Sequence, residues 1–170
     1  YTFAGALDAL RKLCEYGIIY AEQPVASIED MAALRFAIAN EGLPARIAAD
    51  ESIRKAEDPL KVARANAADL MVIKAAPLGG VRRALALVEQ AQLPAVVSSA
   101  LESSVGIGVG ASLAASLPTL KYGCGLGTVS LMAEDVTDEP LIARDGFMDR
   151  RAISPSPQRL ERLATDEQTH

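Results

Sequence analysis

IIYAEQP, residues 18–24, carries Ile18, Ile19, Tyr20 and Ala21 directly into Glu22, Gln23 and Pro24. The apolar half shows no alternation and reads as a strand covered on both faces. Such a strand has no structural need for a carboxylate at its end. The same ending recurs in RIAADES (46–52), where the run closes on Asp50, and in LMVIKAAP (70–77), where it closes on Lys74.

Helix signals lie between these runs. Ser27 is placed to cap a helix with Met31, Leu34, Ala37 and Ile38 on one face and Gly42 as its stop. Pro44 leads into a strand at 45–50, and Pro59 opens a short helix at 59–67. A strand at 69–74 is followed by Gly79, Gly80 and a helix reaching Gln92. Pro94 opens a strand at 95–99, small residues form a helix at 104–116, and a shorter, glycine-broken strand covers 121–126. Upstream, TFAGALDALRKLCEYG (2–17) places Phe3, Ala6, Leu7, Leu10, Leu13 and Cys14 at helical spacing, with Gly17 as the stop. A chain that opens on Tyr1, inside a helix, is expected to continue a longer protein.

Strand ends therefore fall at 22, 50, 74 and 99, a period of 24 to 28 residues. Strands alternating with helices at that period build a parallel sheet. Two architectures satisfy the pattern. In an open doubly wound sheet, polar strand ends spread along a row and chemistry gathers at one switch point. In a (β/α)8 barrel they converge on one mouth. Glu22, Asp50, Lys74 and the pair Ser98–Ser99 are four such ends in succession, which favours the barrel. A barrel takes about 250 residues. The 170 residues here supply five strands, so the expected fold is α/β, the C-terminal part of a TIM-type barrel with two open strand edges.

Composition narrows the function. Half the residues are hydrophobic and the net charge is −5, which suits one substantial core and excludes a disordered chain. Lys and Arg are scattered, without a basic stripe or interleaved aromatics, so nucleic acid is not an expected partner. Nothing approaches the ~18 consecutive apolar residues of a membrane span, and no signal-peptide pattern is present. Cys14 and Cys124 fit no metal or redox spacing, and reduced thiols agree with a cytoplasmic location.

Carboxylates on neighbouring strand ends repel unless something neutralises them. A hard divalent cation such as Mg2+ does so and prefers oxygen ligands. Lys74, one strand further round, has the chemistry of a base, an acid or a cationic stabiliser. Taken singly, each residue is equally an ordinary polar cap, with Lys74 paired to a carboxylate. Taken in register, the three describe a metal-assisted site.

YAEQP (20–24), IAADES (47–52), MVIKAAPLGG (71–80), VVSSALESSVGIG (96–108) and YGCGLGT (122–128) carry a more specific signal. In this order and spacing they resemble the enolase superfamily, in its muconate-lactonising subgroup. Within it the pattern is most similar to the o-succinylbenzoate synthase family of menaquinone biosynthesis, in its actinobacterial form. The resemblance spans about residues 1–146, and implies parallel barrel strands 4 to 8 with their helices as one catalytic domain, followed by a polar tail at 147–170. It implies Mg2+ as cofactor, with Glu22 and Asp50 as the second and third metal ligands and Lys74 as the catalytic lysine of the sixth strand. Glu51 then supports the metal site from outside it, and Ser98, Ser99 and Gly125, of the turn Gly125–Gly127, contact a small carboxylate substrate. The implied reaction is elimination of water from 2-succinyl-6-hydroxy-2,4-cyclohexadiene-1-carboxylate through an enediolate, a carbon–oxygen lyase reaction.

The family's N-terminal capping domain, its Lys-x-Lys motif on the second strand and its Asp ligand on the third do not occur in this stretch. The missing lysine is the proton-abstracting base, so these residues alone are expected to be inactive or a weak metal binder. N-acylamino acid racemase or dipeptide epimerase activity within the same subgroup is an alternative, as is a non-catalytic half-barrel or truncated product. Oligomeric state is not legible.

Other signals carry less. GIGVG (106–110) lacks the strand–turn–helix setting of a nucleotide loop and reads as close helix packing. CGLGT (124–128) has the composition of a phosphate cradle, but the implied substrate is a carboxylate. Cys124 is expected to be buried, without a His to activate it. His170 is terminal, and RLERLA (159–164) is expected to make one helical turn within a mobile tail.

Overall fold

A computed structural model describes residues 1–55 and 57–164. Its centre is a four-stranded parallel sheet of β1 (Ala21–Glu22), β2 (Ile47–Ala49), β3 (Leu70–Ile73) and β4 (Ala95–Val97), ordered β1-β2-β3-β4. Neighbours follow chain order with no reversal, which is barrel connectivity; a doubly wound sheet reverses at its switch point. The register pairs Ala21 with Ile47, Ala48 with Leu70 and Val72 with Val96.

Helices fill each return. α1 (Phe3–Leu13) precedes the sheet, α2 (Ile28–Asn40) joins β1 to β2, and α3 (Glu51–Arg54) and α4 (Lys61–Arg64) join β2 to β3. α5 (Val81–Ala91) leads into β4, α6 (Ser104–Ser116) follows it, and α7 (Pro157–Leu163) lies near the end of the described residues. α2 forms as its sequence predicts. Ser27 Oγ accepts from the backbone N–H of Asp30 at 3.0 Å, and Met31, Leu34 and Ile38 are buried along one face. Gly42, at φ +65°, turns the chain out so that Leu43 N–H reaches Ile38 O at 3.1 Å, a closure that strains any residue with a Cβ.

Alternation along the strands sorts the apolar residues onto two faces. Ile47, Ala49, Met71, Ile73, Ala95 and Val97 pack into the core beneath the helices. Ala48, Leu70, Val72 and Val96 form a separate cluster on the other face, with Tyr20 and Tyr122 against it. Tyr20 precedes the first strand and Tyr122 follows the last, yet their rings meet edge to face with centroids 5.6 Å apart. The sheet therefore curves until side chains from its two ends touch across the concave side, as an arc of barrel requires.

Several expected elements are shorter. Residues 18–20 lie outside β1, and Ile19 is 64% exposed, because among the described residues β1 has a neighbour on one side only. The expected strands at 45–50 and 95–99 contract to β2 and β4, and the helix at 59–67 to α4. The strand at 121–126 reduces to a parallel bridge between Ser98 and Gly125, with Ser99 N–H to Gly125 O at 3.0 Å and Gly125 N–H to Val97 O at 2.8 Å. Gly123, Gly125 and Gly127 leave little side chain to pack there, and Cys124 is exposed rather than buried. α3 was not foreseen.

The glycines of α6 do allow close approach. A Cβ on Gly110 would stand 2.8 Å from Leu126 Cδ2. Beyond the sheet, Asp135 is buried and accepts from Ser104 N–H at 3.1 Å and Val136 N–H at 2.8 Å, and also from Ser104 Oγ. Ser104 Oγ accepts in turn from Leu141 N–H at 2.7 Å, tying this segment to the start of α6. α7 is longer than one turn and is held by Arg159–Asp138 at 2.6 Å and Arg162–Glu134 at 2.5 Å. His170 lies outside the described residues. Among those residues, no helix is long and apolar enough to cross a membrane.

Candidate active site

Period-two alternation decides what the strand ends present. Counting in steps of two from the concave cluster, Tyr20 leads to Glu22, Ala48 to Asp50, Val72 to Lys74 and Val96 to Ser98. All four therefore point from carboxyl ends toward the concave side. Ser99 falls one residue out of phase.

Asp50 and Lys74 meet directly. Lys74 Nζ donates to Asp50 Oδ2 at 2.6 Å, with Asp50 4% and Lys74 9% exposed. Arg54 Nε lies 3.3 Å from Asp50 Oδ1 but is aligned as a donor to Oδ2, at 3.4 Å. Asp50 Oδ1 is thus buried with no hydrogen-bond partner among the described residues. A carboxylate oxygen in that condition is costly unless something else meets it. Glu22, at the end of β1, faces the same place. Glu22 is exposed, but partial desolvation of its carboxyl raises it above the ordinary value and the Asp50 charge raises it further, with Lys74 acting in the opposite direction.

The remaining expected residues have different surroundings. Glu51 turns to Arg54, 2.6 Å away, and reaches Asp50 only through that guanidinium. Ser98 is half-buried and its Oγ donates to Gly125 O at 3.4 Å. Gly125 packs so closely on it that a Cβ would stand 2.7 Å from Ser98 Oγ. Ser99 is buried, 2.8 Å from Thr128 Oγ1, and holds the loop after Gly127. The structure thus gathers Glu22, Asp50 and Lys74, sets Ser98 on the same side, and places Ser99 and Glu51 among supporting contacts.

Three partners were not foreseen. Arg54 was recoverable, since Asp50–Arg54 and Glu51–Arg54 stand four and three residues apart on a helix. Gln23, whose side-chain oxygen accepts from Asp50 N–H, and Thr128 carry no chemical signal of their own. Among the described residues, no group of three or more His, Cys, Asp or Glu is arranged to hold a metal. The all-oxygen pair still fits a hard cation such as Mg2+, which uses one or two protein carboxylates and keeps waters or substrate oxygens for the rest. The unpartnered Asp50 Oδ1 beside Glu22 is the local feature such an ion answers.

The family model described as Enolase C-terminal domain-like matches residues 1–155. The chain belongs to that enolase family. Among its relatives, the o-succinylbenzoate synthase of Mycolicibacterium smegmatis is 55% identical over 163 residues, covering 95% of this chain and 49% of the relative. That of Thermobifida fusca is 48% identical over 161 residues, with coverage of 95% and 49%. Among solved structures, the muconate lactonizing enzyme from Pseudomonas putida superposes with a TM-score of 0.82 at 27% identity, covering 97% of this chain and 48% of that one. The muconate cycloisomerase from Pseudomonas fluorescens gives 0.80 at 31% identity, covering 95% and 46%. The enolase-family chain spans about half the length of these relatives, and its sheet is part of a TIM barrel.

Proposed function

We propose that the complete protein to which these residues belong is an o-succinylbenzoate synthase, a metal-dependent hydro-lyase acting on the succinyl-hydroxycyclohexadiene carboxylate. The observation that carries this reading is 48–55% identity to relatives of that name along 95% of the chain. Identity to the muconate enzymes is 27–31%, which supports a shared fold and site layout more than a shared substrate.

In this reading Glu22 and Asp50 hold Mg2+ through carboxylate oxygens, with Asp50 Oδ1 the oxygen left without a hydrogen bond. Bound there, the ion supplies positive charge that draws in a substrate carboxylate and favours loss of its α-proton. Lys74 is the catalytic lysine. Its ammonium, aimed by the 2.6 Å contact with Asp50, faces the developing negative charge and stabilises it from one side of the ring. Ser98 and Gly125 line the substrate's side of the mouth, with Ser99 holding their loop through Thr128. Glu51 steadies Arg54 against Asp50, an outer contact of the kind that orients metal ligands. The proton-abstracting base lies outside these residues.

The test is an assay of the complete protein with the cyclohexadiene carboxylate, following formation of the aromatic product with Mg2+ and after chelation. Chelator-sensitive dehydration is expected. Racemisation of N-succinyl amino acids without dehydration, or lactonisation of muconate instead, would overturn the assignment.

A further inference from the structure

Asp50 occupies the N-cap position of α3, where an aspartate ordinarily turns its carboxylate back onto its own helix. It makes no such bond, because the carboxylate is turned to Lys74. The amides at the start of α3 are met instead by Gln23, from the end of β1. Gln23 Oε1 accepts from Asp50 N–H at 3.1 Å and from Ser52 N–H at 3.2 Å. Its Nε2 donates to Val25 O at 3.0 Å and to Ser52 Oγ at 2.9 Å. One side-chain amide thus makes four hydrogen bonds. Gln23 does so from φ +40°, a left-handed conformation in which a residue with a Cβ is strained. Its own N–H remains in the sheet, bonded to Ala48 O at 2.8 Å.

We infer that Gln23 is a positioning residue that caps α3 from the neighbouring strand, and thereby releases the Asp50 carboxylate into the site and sets its spacing from Glu22. Gln23 directly follows Glu22, so the same residue that grips the backbone of Asp50 also ends the strand presenting the partner carboxylate. Without it, the open amides of α3 compete for Asp50 Oδ1, the oxygen that has no other partner. The inference rests on the reading of Glu22 and Asp50 as a metal-binding pair.

The experiment measures Mn2+ affinity of the complete protein, by electron paramagnetic resonance of the free ion, with circular dichroism confirming that each variant is folded. Gln23→Leu removes the cap and is expected to weaken Mn2+ binding roughly 10- to 100-fold, the range typical of contacts that orient metal ligands. Gln23→Glu keeps the oxygens that accept from Asp50 N–H and Ser52 N–H but gives up both Nε2 donations, and is expected to lose clearly less Mn2+ affinity than Gln23→Leu, a partial rescue that follows the cap rather than the side chain's bulk. It also serves where Gln23→Leu fails to fold. Unchanged affinity in Gln23→Leu, or equal loss in Gln23→Glu, overturns the inference alone. Failure of the parent protein to bind Mn2+, or unaltered binding in Asp50→Asn, overturns the metal-site reading along with it.

Discussion

Lys74 and Asp50 show what a single buried pair does in this site. Removing Lys74 leaves the Asp50 charge buried with only the oblique Arg54 contact. In the complete protein, Lys74→Ala is expected to lower turnover by about 10²–10³-fold. Losing one partner of a buried pair also costs about 3–5 kcal/mol of stability. Denaturant unfolding in chelator reads that loss, and turnover near the parent rate would remove Lys74 from the catalytic machinery. Glu22 sets the response to pH. Its folded carboxyl sits above the ordinary value, so the folded state holds this proton more tightly than the unfolded state does. Ionising Glu22 therefore opposes folding: its contribution favours the fold at low pH and is lost as pH rises through the interval between the ordinary and the raised value. Metal binding at the proposed site runs the other way, because a cation held by Glu22 requires the ionised form. Mg2+ affinity is expected to fall as pH drops through the raised Glu22 value, and Glu22→Gln to bind weakly without that slope. Titration calorimetry at several pH values checks both. The convergence of Glu22, Asp50 and Lys74 is legible in the sequence because each ends an apolar run, at intervals of 28 and 24 residues. Gln23 is not, since its role depends on a backbone angle and on bonds to a segment 27 and 29 residues away.

At the scale of elements, what is legible depends on where the partners lie. α2 can be read because its cap, its apolar face and its stopping glycine are all local. Leu34 is fully buried on that face, and Leu34→Ala is expected to cost about 2–5 kcal/mol with little change in the site. A denaturation midpoint shift without loss of Mn2+ affinity in the complete protein is the corresponding signature. Strand lengths are less legible, because a strand extends only as far as a neighbour accepts its hydrogen bonds. Residues 18–20 have the composition of a strand but no paired backbone. The 121–126 segment shows the opposite case. Its glycines weaken it as a strand, yet Gly125 permits the chain to lie against Ser98. Gly125→Ala places a methyl group 2.7 Å from Ser98 Oγ, so Ser98 or the backbone must shift. Overpacking of this kind typically costs about 1–3 kcal/mol. If the complete protein has the proposed activity, its Michaelis constant is expected to rise more than turnover falls, since the proposed role of Ser98 is substrate contact and not the chemistry assigned to Lys74.

For the molecule as a whole, curvature converts a row of strand ends into one site. In a flat sheet, Glu22 and Ser98 would stand three strands apart, roughly 14 Å at the ordinary interstrand spacing. The contact between Tyr20 and Tyr122 indicates that the sheet closes most of an arc, so polar ends from β1 to β4 face a shared space. The same arc leaves two strand edges unpaired among the described residues: the outer side of β1 and the outer side of the segment at Gly125. Large apolar side chains are exposed near both, including Tyr16 and Ile19 at one and Leu120 at the other. Open backbone edges flanked by apolar surface recruit other strands, and a net charge of −5 offers modest repulsion against that. Residues 1–170 expressed by themselves are therefore expected to run above their monomer mass of 17.9 kDa in size-exclusion chromatography with light scattering, and to bind a dye specific for exposed apolar surface. The complete protein is expected to leave that dye unbound. A monodisperse monomer of residues 1–170 with no dye binding would mean that the two edges are satisfied within this chain, and the arc would then have to be redrawn as a closed unit of its own.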